Sequence, residues 1–487
     1  MSKYKFKFQM YKDLHAKTAE IYAEARKAAE EIGIPAEIKG KFGLTGAISG
    51  CPAPLRNDIL AAGEEEAKKV VPLAAYVEQM RELVKEVYGD EYDVAPTNTC
   101  EAGLWVTFDT LFTPPNLGRG DNYRARYIAP YEKHLHHQGS YGRPVPPRYK
   151  DIFADRGSTP GELGFYGKRQ NNTDTVIVPL EGAKYDVHGI KYHPVPMLAE
   201  VDAKASAKKI DEVAAIHAAN LTGITGLGYE TPGYGYGEKD ADGTPLLQKL
   251  VADVAHKYNV PYVTDNAWGL PFVGTDPRKT GADVTIYSMD KATGSPLCGL
   301  IIGKEELMVP IRRALGMHGE RWGTPNSYGK AAYVTQDPGK EALAGAVQAL
   351  RVLKDKPEVL TKPIDDMHKI VEEEFAQIHP TLKEGIIISK SYNSTAVEVN
   401  YEKTWKDGKI GLPIFSIEDM YGGSHLLQVG LKEMGVIPTV AYDGNIYISP
   451  GLGTTDENGQ LIEDRVRYGI KALVKLMEII AKYAGII

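Results

Sequence analysis

"TPLLQKLVADVAHKYNVPYVTDNA" (Thr244–Ala267) decides how the fold is read. Leu246, Leu247, Leu250, Val251, Val254 and Ala255 recur at helical spacing, and Val260–Ala267 is a short apolar, β-branched run closing on Asp265. A helix that feeds a buried strand is half of a βαβ unit, and ligands of parallel sheets bind beyond the carboxyl ends of the strands. The following run, "ADVTIYSMDKATGSPLCGLIIG" (Ala282–Gly303), contains strands over Ala282–Met289 and Leu300–Gly303 and sets Lys291 among small residues between them.

Working outward, "TVIVPL" (Thr175–Leu180) reads as another strand and "RARYIAPY" (Arg124–Tyr131) as strand-like. Short strands alternating with helical stretches argue for a large α/β domain around a mostly parallel sheet. Towards the N-terminus, Met10–Ile32 is Ala, Glu and Lys rich with apolar residues at helical spacing, Gly40–Pro54 is a Gly/Pro loop, and a helical pattern then resumes up to Gly89. Beyond Asp337 come helical stretches (Lys340–Asp355, Thr361–Ile378), short strands ("GIIISK", "TAVEVN", "NIYISP") and a final helix. This predicts an N-terminal helical segment (1–90), a large α/β domain (91–335) and a smaller α+β C-terminal domain (336–487).

The bulk properties exclude several classes. In 487 residues, 57 Lys and Arg are interspersed with 64 Asp and Glu for a net charge of −7, which leaves no basic footprint for nucleic acid. The three cysteines, Cys51, Cys100 and Cys298, are widely spaced without CxxC pairing, so neither a disulfide framework nor a thiolate zinc site is expected and a reducing cytoplasm fits. No apolar run approaches the length of a signal peptide core or a membrane span, so no membrane partner is expected.

Asp265 and Lys291 each close a predicted buried strand, one crossover apart, so both side chains reach one end of the sheet. An amine there can condense with an aldehyde, and a carboxylate against a pyridine nitrogen keeps it protonated. These are the two electronic tasks a protein performs for pyridoxal 5'-phosphate, with Lys291 holding the cofactor as a Schiff base. "PTNTCEAGLWVTFDTLF" offers Thr99, Cys100 and Glu101 at the start of a helical run, where backbone N–H groups and hydroxyls meet a dianion. Ser288 adds a hydroxyl from the strand end before Lys291. A flat cover for one ring face can come from "YEKHLHHQGSYG", which contains His134, His136 and His137; His136 is the choice for the stack.

The segments "TNTCEAG", "HLHHQGS", "VTDNAWGLP" and "YSMDKATGSP", in this order, resemble fold-type I pyridoxal-phosphate-dependent enzymes of the aspartate aminotransferase superfamily. Within them they most resemble the branch of cysteine desulfurases, selenium-transferase-like proteins and related lyases. The resemblance covers about Glu91–Arg313. It implies a three-layer αβα large domain, Lys291 as Schiff-base lysine and proton shuttle, Asp265 as partner of the ring nitrogen, Ala267 on the ring face opposite His136, and a homodimer or larger assembly. The sequence departs from that pattern at Trp268, in the long Arg/Tyr/Gly-rich segment Asn122–Thr173, and in lacking an identifiable desulfurase nucleophile, since Cys298 follows the lysine too closely and Cys51 comes too early.

Competing readings are weaker. The HLHH cluster suggests a zinc hydrolase only if further ligands exist, and none stands at fixed spacing, so no metal is expected. SMDK, KTG (Lys279–Gly281) and SYN (Ser391–Asn393) resemble the motifs of penicillin-binding acylases, but KTG precedes SxxK here and the tetrad ends a strand instead of opening a helix. "GITGLGYE" lacks the third glycine of a dinucleotide fingerprint. For a substrate carboxylate, Arg124, Arg126, Arg156, Arg169 and Arg321 are candidates, with Arg321 first. The expected activity is a lyase reaction (β- or γ-elimination) on an amino acid, with transamination as the alternative.

Overall fold

A computed structural model of the chain describes residues 7–44, 54–112, 126–131, 174–179, 202–228, 237–315, 334–404, 411–413, 426–438, 440–442 and 445–487, together with Tyr4 and Glu230. The chain forms two compact units. One gathers described residues of Asp58–Glu181 and Glu200–Lys356, the other described residues of Met1–Asn57 and Pro357–Ile487.

The first unit is built on a seven-stranded sheet of β1 (Tyr92–Thr97), β2 (Arg126–Tyr131), β3 (Asp174–Pro179), β4 (Leu221–Leu227), β5 (Tyr262–Asp265), β6 (Val284–Ser288) and β7 (Gly299–Lys304), in the order β1-β7-β6-β5-β4-β2-β3. β7 runs antiparallel to both neighbours and every other pairing is parallel. All residues of β1, β4, β5 and β6 are buried, as expected for strands covered on both faces. Val263, Ile286 and Ile301 pack with Leu104 of the helix Cys100–Thr107 and with Met308 and Ile311 of the helix Glu305–Ala314. The helix Leu246–Lys257, which buries Leu247, Val251 and Ala255, lies on β4 and β5. This is the α/β architecture with a mostly parallel sheet that the sequence predicts.

The second unit carries an antiparallel sheet of β8 (Ile387–Ser391), β9 (Ala396–Asn400), β10 (Val440–Tyr442) and β11 (Asn445–Ile448), in the order β10-β11-β9-β8. Val397, Val399, Ile446 and Ile448 form one core with Ile21 and Ala25 of the helix Thr18–Ile32 and with Leu473, Met477 and Ile480 of the C-terminal helix Glu463–Tyr483. The units therefore divide the chain near Asn57 and Pro357, at other places than 90 and 335. The reason is where apolar faces find partners: Thr18–Ile32 packs on the C-terminal helix, while Ala74–Tyr88 packs on β1 and on Lys340–Asp355.

Some local expectations change. The helix expected over Met10–Ile32 is two, Lys7–Ala16 and Thr18–Ile32. The helical run up to Gly89 is interrupted before Ala74, where Pro72 supplies no N–H to continue a helix. "LTGITGL", whose glycines had suggested at most a broken nucleotide loop, is the buried strand β4. Gly223 is required there, because a Cβ would lie 2.0 Å from the Phe112 ring.

Gly299 has a similar constraint next to the site. A Cβ would stand 2.2 Å from the Thr99 carbonyl oxygen and 2.5 Å from Thr97 Oγ1. Gly299→Ala is expected to cost about 1–3 kcal/mol, the range of overpacking a filled site, read as a lowered urea midpoint. An unchanged midpoint would show that the Thr99 turn has room to move.

Candidate active site

The site forms where four strand ends meet. β6 ends at Ser288, which pairs with Gly299, and Gly299 pairs on its other side with Thr97, the last residue of β1. Asp265 closes β5, the other neighbour of β6. Register alone therefore brings the ends of β1, β5 and β6 and the start of β7 side by side.

Asp265 is 3% exposed. Its Oδ1 accepts the N–H of Ala267 at 3.0 Å, so it caps the turn that follows the strand as well as presenting a carboxylate. Burial pushes its carboxyl up to about 6; the positive charge of Lys291 and the Ala267 N–H oppose that rise, and Glu101 adds to it. Lys291 lies in the single helical turn Met289–Ala292 directly after β6, closed by the Thr293 hydroxyl donating to the Met289 carbonyl at 2.5 Å and by Gly294 at φ 67°. Its amine lies 5.8 Å from the centre of the Trp268 ring, within cation–π range.

The turn between β1 and the helix Cys100–Thr107 is pinned by short bonds. The Thr97 hydroxyl donates to the Thr99 carbonyl at 2.8 Å, and Thr99 Oγ1 accepts the Ala102 N–H at 2.9 Å from an extended N-cap. A helix start lacks intrahelical partners for its first N–H groups and carries a partial positive charge. Cys100 is buried at this start; burial first, and then Asp265, push its thiol well up, against the pull of Lys291. A thiol held in this way is a weak nucleophile, since the thiolate is the reactive form. Ser288 is 1% exposed, and its hydroxyl donates to Asp290 Oδ1 at 2.5 Å.

The structure thus brings together Lys291, Asp265, Ala267, Ser288, Thr99, Cys100 and Glu101. His134, His136, His137, Arg124, Arg156, Arg169, Arg321 and Cys51 lie outside the described residues; Arg126 opens β2, and its side chain lies outside them too. Two neighbours of Lys291 had no role assigned from sequence: Trp268, noted only as a departure, and Asp290. The sequence signal for Asp290 was its place inside "SMDK", an acid directly before the lysine. The same hydrogen bond disfavours a serine acylase, since Ser288 turns its proton to Asp290 and not to Lys291. Among the described residues no group of three or more His, Cys, Asp or Glu is placed to hold a metal ion, and no helix is long and apolar enough to cross a membrane.

No family model matches the sequence. Among solved structures, the adenosylmethionine-8-amino-7-oxononanoate aminotransferase from Methanocaldococcus jannaschii DSM 2661 is 14% identical, with a TM-score of 0.51 over 89% of this chain and 89% of that one. A Bacillus anthracis aminotransferase is 13% identical, with a TM-score of 0.50 over 87% of this chain and 85% of that one. The chain has fold type I. This is the fold of the pyridoxal-phosphate-dependent transferases, and at this identity the likeness is one of fold.

The Asp265 environment has a measurable consequence. A carboxyl near 6 in the fold and 3.8 in the unfolded chain binds more protons folded than unfolded between those values. Its contribution to stability is therefore greatest below the unfolded value and is lost as pH rises through the folded one. In ligand-free protein Asp265→Asn is expected to gain on the order of 2 kcal/mol at neutral pH and nothing below about pH 4. Urea unfolding at several pH values checks this; a gain independent of pH would mean the carboxyl is not held up by burial.

Proposed function

We propose that this chain is a pyridoxal-phosphate-dependent enzyme acting on an amino acid, with Lys291 as the residue that holds the cofactor's aldehyde. One observation carries the reading: a buried carboxylate, Asp265, and a lysine, Lys291, stand at neighbouring strand ends of a fold type I sheet, close enough for each charge to act on the other.

The residues present fit the group. Burial has raised the Asp265 carboxyl despite Lys291, so a cationic ring nitrogen is a partner that would draw it back down and stabilise its charge. The start of the helix Cys100–Thr107, with the Thr97–Thr99 turn drawn against Gly299, supplies a place for a phosphate. When bound, the cofactor supplies an electron sink for the pair left at Cα when a bond there breaks. Asp265 would keep the ring nitrogen protonated by its charge, and Ala267 and His136 are the residues proposed to cover the ring. Lys291 would serve as the base and acid that moves the proton at Cα. Arg321 is proposed to take the substrate carboxylate through a bidentate pair.

For the reaction type we favour elimination, supported by the motif resemblance to lyases. Transamination is the second reading, favoured by the two solved structures of this fold named above, both aminotransferases. The motif resemblance also supports a homodimer, and the cysteine usage supports a cytoplasmic location.

Protein incubated with pyridoxal phosphate is expected to be yellow, to bleach with borohydride and to keep the label on Lys291. Lys291→Ala should lose the label and about 10³-fold or more in turnover, and a variant that keeps both would end the reading. To separate the reactions, amino acids are screened for release of ammonia and a keto acid. Release without an added acceptor marks elimination, whereas dependence on an added 2-oxo acid marks transamination.

A further inference from the structure

We propose that Asp290 is a specificity-determining residue of the phosphate cradle: it weakens the hold on pyridoxal phosphate by taking the Ser288 proton and by setting a negative charge where the dianion binds. This rests on the cofactor reading above.

Asp290 is 4% exposed and directly precedes Lys291. It is not turned to solvent, where an acid in that position would be inconsequential. Ser288 donates to its Oδ1 at 2.5 Å, and a hydroxyl has a single proton to give. Ser288 can donate to a phosphate only by releasing Asp290. The carboxylate is thus held at the end of β6, at the residue that pairs with Gly299. Burial first, with the Asp290 charge adding to it, pushes up the thiols of Cys100 at the helix start and of Cys298 next to Gly299. A dianion entering that space gains from the helix start and from Lys291 and loses to Asp290, and in a desolvated site like charges repel strongly. An amide at position 290 would keep the size and remove the repulsion, and it would offer Ser288 only a neutral acceptor, weaker than a phosphate oxygen, so that the hydroxyl is free to turn to the dianion.

The test compares two aldehydes on the full-length chain. Pyridoxal 5'-phosphate and pyridoxal are titrated by visible absorbance, and each is trapped on Lys291 with borohydride, so that no turnover is needed. Asp290→Asn is expected to tighten pyridoxal phosphate about 10-fold while changing pyridoxal by less than about 2-fold. Ser288→Ala alone should change pyridoxal phosphate by less than about 2-fold, because its proton is already committed, yet cost about 5-fold or more in the Asp290→Asn background. A merely structural role for Asp290 would not produce that coupling. The proposal is overturned if Asp290→Asn leaves pyridoxal phosphate unchanged or weaker, or tightens both aldehydes alike, which would place its effect on Lys291. Should Asp290→Asn not fold, Ser288→Ala decides alone: a loss of about 5-fold or more would show that Ser288 already donates to phosphate. Failure of the natural chain to trap either aldehyde on Lys291 overturns the cofactor reading and this inference together. Trapping without the expected preference overturns only this one.

Discussion

A negative charge buried at the carboxyl end of β5, with an ammonium one strand away, is what the remaining features of the site are arranged around. Taking a carboxylate out of water is costly, and at Asp265 the cost shows as a carboxyl pushed up to about 6 even with Lys291 and the Ala267 N–H acting against it. A sheet tolerates such a group only at its rim, where one more partner can arrive. The strands behind it are buried and apolar on both faces, which fixes the carboxylate in place and leaves it little room to relax.

That rigidity reaches the other end of the site through Gly299. Because Thr97 and Ser288 both pair with this glycine, and because no side chain fits between it and the Thr99 carbonyl, the N-cap of the helix Cys100–Thr107 is held at a fixed distance from the end of β6. Helix start, strand end and lysine turn are therefore one mechanical unit. The hydrogen bonds within the turn, from Thr97 to Thr99 and from Ala102 to Thr99, maintain it without any ligand.

Much of this was legible in the sequence, for a physical reason. Strands covered on both faces must be nearly continuous apolar runs, so Tyr262–Asp265, Val284–Ser288 and Gly299–Lys304 stand out, and a charged residue at the end of such a run is conspicuous. β4 was hidden because Gly223 has no side chain and leaves its volume to Phe112, so the apolar group that fills the position lies more than a hundred residues away in the chain. The unit boundaries were hidden for a related reason: the partner of the helix Thr18–Ile32 is at the far end of the chain. Asp290 could be seen but not interpreted, because the direction of a hydroxyl proton is a property of the folded site.

The charges gathered at this sheet rim also constrain what enters it. Asp265, Asp290 and Glu101 face a single described cation, Lys291, and the helix start adds only a partial positive charge. Such a rim favours a cation and disfavours a carboxylate. The same imbalance acts on Cys100, at a helix start that would ordinarily favour a thiolate: burial first, and then the nearby carboxylates, push its thiol up against the pull of Lys291.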